Sequence, residues 1–201
     1  PVGEYNIGVT AGIETTVCAA PWVQGVNRMD LIITSAQHGK RVFENSVYEM
    51  QDDRTKQSKG KLELTKPVEV LFEGVDLAKY KTVNGSGNIS KELNKIKEQF
   101  CFLFVGHWLQ GDQYEDRKNV GGMIEEFLHT FKHTSVKPAL ILKTQTSNSS
   151  ILDRDKIIEK VNTIKAAVGG DNLPNIYILH GELNDSEINE LYNHSKVKSM
   201  I

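Results

Sequence analysis

The sequence predicts an α/β fold with parallel sheets, and three observations predict it. Short apolar runs recur at 31–34, 67–72, 100–105, 139–143, 176–179 and from 197 onward. Between most of them lie stretches whose apolar residues repeat at the three-and-four spacing of a helix face. Glycine, or a residue suited to capping a helix, stands at most of the junctions. Strand and helix alternating in this way give a parallel sheet covered on both faces.

Leu31-Ile32-Ile33-Thr34 is short and apolar enough for a buried strand. Ser35 is placed to cap a following helix that carries Val42, Phe43, Ser46 and Val47 inward. Residues 50–66 are polar and charged, which predicts an exposed excursion. The run 67–72 reads as the next strand, broken by Gly74. Residues 79–97, with Asn84-Gly85-Ser86-Gly87-Asn88, read as a linker or crossover.

The stretch 100–131 says most about the chain. An apolar run from Phe100 to Val105 stops at Gly106, and a polar loop carries Arg117 and Lys118. A helix then opens near Asn119, with Val120, Met123, Ile124, Phe127, Leu128 and Phe131 on one stripe. Gly121 and Gly122 fall in its first turn, where a missing side chain lets a ligand or another backbone come close. Buried strand, glycine turn, cationic loop and helix start are together the local arrangement that holds a phosphate. Helix N–H groups face the anion, and lysine or arginine adds full charge. Two plainer readings stand beside this one. The glycines could serve only tight packing, and Arg117 and Lys118 could pair with Asp112, Glu115 and Asp116 in a solvated turn.

Downstream, 139–143 is a strand, and the next helix, about 153–168, turns Ile157, Ile158, Val161, Ile164 and Val168 inward before Gly169-Gly170 stops it. The strand 176–179 closes at His180-Gly181. Asn184 and Glu187 have the spacing of a capping box, with Ile188, Leu191 and Tyr192 as the inner face of that helix.

Composition excludes more than it assigns. A formal net charge of −2 gives no reason to expect nucleic acid as a partner. No apolar run reaches the roughly 18 residues that crossing a bilayer takes, and no secretory signal is seen. Cys18 and Cys101 are far apart and read as reduced, buried thiols of a cytoplasmic protein. No Ser/His/Asp triad, Cys–His pair or zinc spacing can be argued, and no G-x-G-x-x-G follows a strand, which counts against a nicotinamide enzyme. Asp153-Arg154-Asp155 has the D-x-D form of some metal-dependent transferases, but acidic residues at a helix start more simply offset the dipole and cap free N–H groups. Glu14, after Gly12-Ile13, either faces an acceptor or is a solvent glutamate beside a glycine turn. The chain begins without methionine and stops at Ile201 inside an expected strand, so it reads as a fragment of a longer protein.

Three blocks in order resemble the group 1 glycosyltransferases of GT-B architecture. Phe102-Leu103-Phe104-Val105-Gly106 with Arg117-Lys118-Asn119 is similar to the family's "FVGR…RKG" opening of the C-terminal domain. Val70-Leu71-Phe72-Glu73-Gly74-Val75-Asp76 resembles the "P-N-G-V-D" ending of the N-terminal domain. Ile178-Leu179-His180-Gly181-Glu182-Leu183, with Glu187-Ile188 and Leu191-Tyr192, resembles "LG-x-L-x-x-E-x-L-x-x-L-Y". Trp22, Asn27, Met29-Asp30 and Ser35 fit the upstream pattern loosely. The resemblance implies portions of two Rossmann-type domains with parallel sheets flanked by helices. Residues 1–75 would be the latter part of an N-terminal, acceptor-side domain, 76–97 an interdomain linker, and 98–201 the first half of a C-terminal, donor-binding domain.

The same resemblance implies transfer of a sugar, with retention of configuration, from a nucleotide diphosphate sugar to an acceptor hydroxyl on a glycan, lipid or protein. It implies no metal and no other cofactor, and it adds peripheral membrane association of the parent as an expectation. Lys118 matches the family's phosphate lysine, and Arg117 would support it. His107 stands where the family commonly has arginine after Gly106. Lys143 and Thr144, then Gly181 and Glu182 beside His180, end strands on the edge where nucleotides bind in such folds. A surface lysine and a plain turn are the competing readings of those positions. The family's glutamate pair would lie past Ile201, so the fragment is expected to be inactive. The alternative is a nucleotide- or sugar-phosphate-binding module without transfer.

Overall fold

The computed structural model describes residues 3–109, 113–146 and 149–201. The chain divides into two compact units, Pro1–Val75 and Asp76–Ile201.

In the first unit, β1 (Ile7–Thr10), β2 (Leu31–Thr34) and β5 (Val68–Val70) form a parallel sheet in the order β1-β2-β5. α1 (Ala20–Val26) and α2 (Gln37–Asn45) supply Val23, Val26, Val42 and Phe43 to a core shared with Ile32 and Val68. Ile7 and Val9, on the edge strand, are exposed. Ser35 does not cap α2: Ala36 holds the N-cap position and no side chain caps it there. Ser46, just past the helix, is buried and accepts the Cys18 N–H, while Val47 is exposed. The excursion at 50–66 is exposed as expected, yet it is ordered. β3 (Tyr48–Gln51) and β4 (Ser58–Leu62) pair as an antiparallel hairpin, its turn fastened by the Asp52 carboxylate accepting the Arg54 and Thr55 N–H groups.

The second unit holds β6 (Cys101–His107), β7 (Ala139–Gln145), β8 (Ile176–Leu179) and β9 (Val197–Met200), all parallel in the order β8-β7-β6-β9. Counted along the chain, this places the third, second, first and fourth strands side by side, the order of a Rossmann sheet. Its reversal point lies next to β6. On one face, α4 (Val120–Phe131) and α5 (Ile151–Val168) pack Ile124, Phe127, Leu128, Ile157, Val161 and Ile164 against Phe104, Leu140 and Leu142. On the other, α3 (Asn88–Asn94) and α6 (Asp185–Asn193) pack Ile89, Leu93 and Leu191 against Leu103 and Ile141. Ile158 and Tyr192, expected inside, are exposed, since each lies at the margin of its helix's apolar stripe. The capping box forms: Asn184 accepts the Glu187 N–H, and the Glu187 carboxylate accepts the Asn184 N–H.

The span 76–97 is not a free linker. It contains α3 and belongs to the second unit. Its first part is laced along α6: Lys79 Nζ lies 2.8 Å from Asp185, the Lys81 N–H donates to Asn189, and the Val83 N–H to Asn193. Low apolar content hid this packing, because side-chain amides and carboxylates of α6 do the holding.

Candidate functional site

Parallel register brings the C-terminal ends of β6, β7 and β8 to one rim. Gly106 pairs with Thr144, His107 with Gln145, and Lys143 with Leu179. At that rim a cleft of about 280 Å3 is lined by Gly106, His107, Lys143, Thr144 and Glu182, with Leu183 and Ile188 as its apolar wall. Five of the expected site residues therefore meet in one depression, though they are spread over more than 70 residues of sequence.

Lys143 reaches across to β8, where its ammonium donates to the Gly181 carbonyl at 2.7 Å. Gly181 has φ +107°, a left-handed conformation that suits glycine and turns this carbonyl toward the lysine. Burial pushes the Lys143 pKa down, and the Glu182 carboxylate opposes that shift. A partly desolvated ammonium already holding one carbonyl has two further protons to offer an anion.

Lys118 lies over Gly106. A β-carbon at Gly106 would stand 3.2 Å from Lys118 Cδ and 3.4 Å from Cε, and 3.0 Å from Phe104 Cζ, so glycine leaves the lysine stem room to cross the strand end. Gly106 and Thr144 are register partners, and their side-chain positions lie on one face of the sheet. The Thr144 hydroxyl there is buried and has no hydrogen-bond partner among the described residues. A buried orphan hydroxyl at a strand terminus is a feature that a bound ligand explains. Lys118 and Arg117 are exposed and, among the described residues, in no ion pair, with Glu115 and Asp116 included. Arg117 does not line the cleft. Asp112 lies outside the described residues.

The helix start is arranged differently from the expectation. Asn119 is left-handed at φ 49°, and the buried Asp116 carboxylate accepts the Val120 N–H at 3.1 and 3.2 Å and the Lys118 N–H at 3.2 Å. The Met123 N–H goes to the Asn119 carbonyl. A β-carbon at Gly122 would meet the Asn119 amide at 2.6 Å and the Tyr114 ring at 2.7 Å. The first turn of α4 is therefore packed by the protein's own carboxylate, ring and amide. Its glycines serve close packing, and the Val120 N–H is already taken by Asp116.

A buried network lies at the same rim. The Asp153 carboxylate accepts His180 Nε2–H at 3.0 Å, the Thr146 N–H at 3.0 Å, and the Thr146 hydroxyl. The Asp153 N–H donates to Ser150 Oγ, the N-cap of α5. Burial alone would raise the Asp153 pKa, but hydrogen bonds from Thr146 and His180 outweigh it and bring it to about 2. Asp155 is exposed and pairs with Arg154, so the two carboxylates of the D-x-D stretch have separate tasks. Glu14 is exposed.

No protein-family model matches the chain. No curated protein matches it either. Three solved chains do. One is described as "OtsA apo structure", at 13% identity and a TM-score of 0.48, covering 86% of this chain and 39% of that one. A second is described as "Trehalose-6-phosphate from E. coli bound with UDP-2-fluoro glucose", at 12% identity and a TM-score of 0.44, covering 86% of this chain and 40% of that one. The chain thus spans about two fifths of the length of these solved structures. No described helix is long and apolar enough to cross a membrane.

Proposed function

We propose that the second unit binds the donor of a glycosyl transfer, a nucleotide diphosphate sugar, in a GT-B glycosyltransferase of the group 1 type. The observation that carries this reading is the convergence of Lys143, Thr144 and Glu182 on one rim cleft, with the Lys118 stem laid across Gly106 beside it. The three sequence blocks, in their family order, support it.

The chemistry asked of such a site is stabilisation of a departing diphosphate. Negative charge grows on the leaving oxygen as the glycosidic bond breaks, and a cation placed there lowers the barrier by favouring that charge over the ground state. Lys118 is exposed and its ammonium is in no ion pair among the described residues, which suits it to this task. Thr144 and Lys143 offer a hydroxyl and an ammonium to the nucleotide part. Glu182 is the acceptor suited to a ribose hydroxyl. Arg117 and His107 add donors at the margin, the histidine with full charge only in its protonated form.

One observation favours the second reading, binding without transfer. Asp116 takes the Val120 N–H at the helix start and His107 stands where the family commonly has arginine, so the fixed positive charge rests on Lys118 and Lys143. Calorimetric titration with nucleoside diphosphates and their sugars separates these ideas. We expect saturable binding of one nucleotide, weakened about tenfold by Lys118→Ala, or about 1.4 kcal/mol, with the melting temperature unchanged. Unaltered affinity in that variant would remove Lys118 from the role. Sugar transfer by the longer parent, abolished with Lys118→Ala, would decide for catalysis over binding alone.

A further inference from the structure

At the other end of the same sheet, where β6 and β7 begin, lies a second cavity of about 510 Å3. It falls in the range of roughly 300–1,000 Å3 typical of small-molecule sites. Its walls are Phe100, Phe102, Phe131, Val136 and Pro138. The rings form a continuous surface: Phe100 and Phe102 have centroids 5.1 Å apart, and Phe102 and Phe131 5.7 Å. Despite its size and apolarity Phe100 is 46% exposed, and Val136 is 85% exposed. Large apolar groups gathered on one open concavity, rather than scattered singly, mark a binding surface.

The rim has a sign. Lys97 and Lys137 are among the lining residues, and Lys137 spends one proton on the Thr134 carbonyl at 2.8 Å. The lone carboxylate among the lining residues, Glu98, is engaged by Asn175 Nδ2 at 2.6 Å and by the Tyr177 hydroxyl at 3.0 Å, which leaves two ammonium groups against one partnered carboxylate. An aromatic lining with two lysines in the same wall complements a molecule that has an apolar body and one anionic head.

We propose that this cavity binds a free medium-chain carboxylate, its chain against Phe100, Phe102 and Phe131 and its head between Lys97 and Lys137. The site is independent of the donor reading, because the seven residues of β6 separate the two ends of the sheet by about 20 Å.

The test is calorimetric titration of the full chain with dodecanoate below its micellar concentration, with dodecyltrimethylammonium as the opposite-charge control. One-to-one saturable binding of dodecanoate is expected, at least tenfold tighter than the cation. Val136→Asp changes an exposed position and should weaken dodecanoate at least tenfold with an unchanged circular dichroism spectrum. Lys97→Glu with Lys137→Glu should remove the preference for the anion while leaving apolar contact intact. Absence of saturable binding, equal affinity for both head groups, or full affinity in Val136→Asp would each overturn the proposal. So would cosedimentation with anionic phospholipid vesicles in the absence of dodecanoate binding, which would point to a membrane surface instead.

Discussion

Asp153 shows what a single side chain does here. Its carboxylate ties the end of β7, through Thr146, to the end of β8, through His180, at the first turn of α5. Removing its charge leaves buried donors without a full partner, which costs about 1–3 kcal/mol. Asp153→Asn should therefore lower stability by that amount at pH 7. The pH dependence follows from a folded pKa of about 2 against an ordinary 3.8. A depressed pKa stabilises the fold above about pH 4, and that contribution is lost as pH falls toward 2. Urea denaturation at pH 7, 4 and 3 checks this, since the gap between wild type and variant should narrow only on the acid side. A constant gap would show that charge is not the cause. Among the residues, Gly106, Lys143, Thr144 and Glu182 were legible because each ends an apolar run, and strand ends in a parallel sheet share an edge. The Thr146–Asp153–His180 network was not. Its members meet through the crossing of two strands and a helix, and Asp153 looked only like half of a D-x-D pair.

Among the elements, α3 is the least expected. Seven residues make a poor helix alone, since isolated helices below about 12–15 residues are marginal. This one is held at both ends by charge. Glu190 of α6 accepts the Gly87 N–H at its start, and Lys196 donates to the Leu93, Asn94 and Ile96 carbonyls at its end. Burial pushes the Glu190 pKa up, but the polar groups of Ser90 and of the Gly87, Ser90 and Ile89 backbone around it outweigh that and hold the carboxyl below its usual range. An anion at the start and a cation at the end both favour the helix dipole. Glu190→Gln and Lys196→Met should each cost about 1 kcal/mol or more. Amide exchange should speed up across 88–96 while the β6 and β7 amides stay protected. Equal acceleration throughout the sheet would mean that α3 is not a separate cooperative piece. The periodic helices α4 and α5 were readable from their apolar stripes. α3 was not read, although Ile89, Leu93 and Ile96 stand at helical spacing, because the adjoining Gly-Ser-Gly run and the charged Lys91, Glu92 and Lys95 gave the segment the look of a linker. The β3–β4 hairpin escaped for a related reason: it is exposed on nearly every residue, and no alternating pattern is left to read.

For the whole molecule, the division at Val75 has a measurable meaning. The second unit has cores on both faces of its sheet, built from its own residues. Residues 76–201 produced alone should unfold in one cooperative transition and keep the α/β circular dichroism signature. Beginning instead at residue 98 should lower that stability, because α3 and the segment bound along α6 are then missing. If both pieces melted alike, the packing of 76–97 would be incidental. The α/β class and the alternation of elements were visible in advance because hydrophobic period reports them directly. The first unit ends at residue 75, where the sequence blocks put it; that the second unit begins at once, at Asp76, was less visible, because polar contacts hold 76–97 to it.

One further consequence follows from the placement of β9 beside β6. Cys101 pairs with Val197, a separation of about a hundred residues, and contacts that distant form slowly. At a synthesis rate of roughly 5–20 residues per second, one edge of β6 waits about 5–20 s for its neighbour to leave the ribosome. During that interval Phe102, Leu103 and Phe104 present an unpaired aliphatic and aromatic ribbon to any holdase that reads such ribbons. The hazard of misassembly is thus concentrated in the strand that carries the rim cleft.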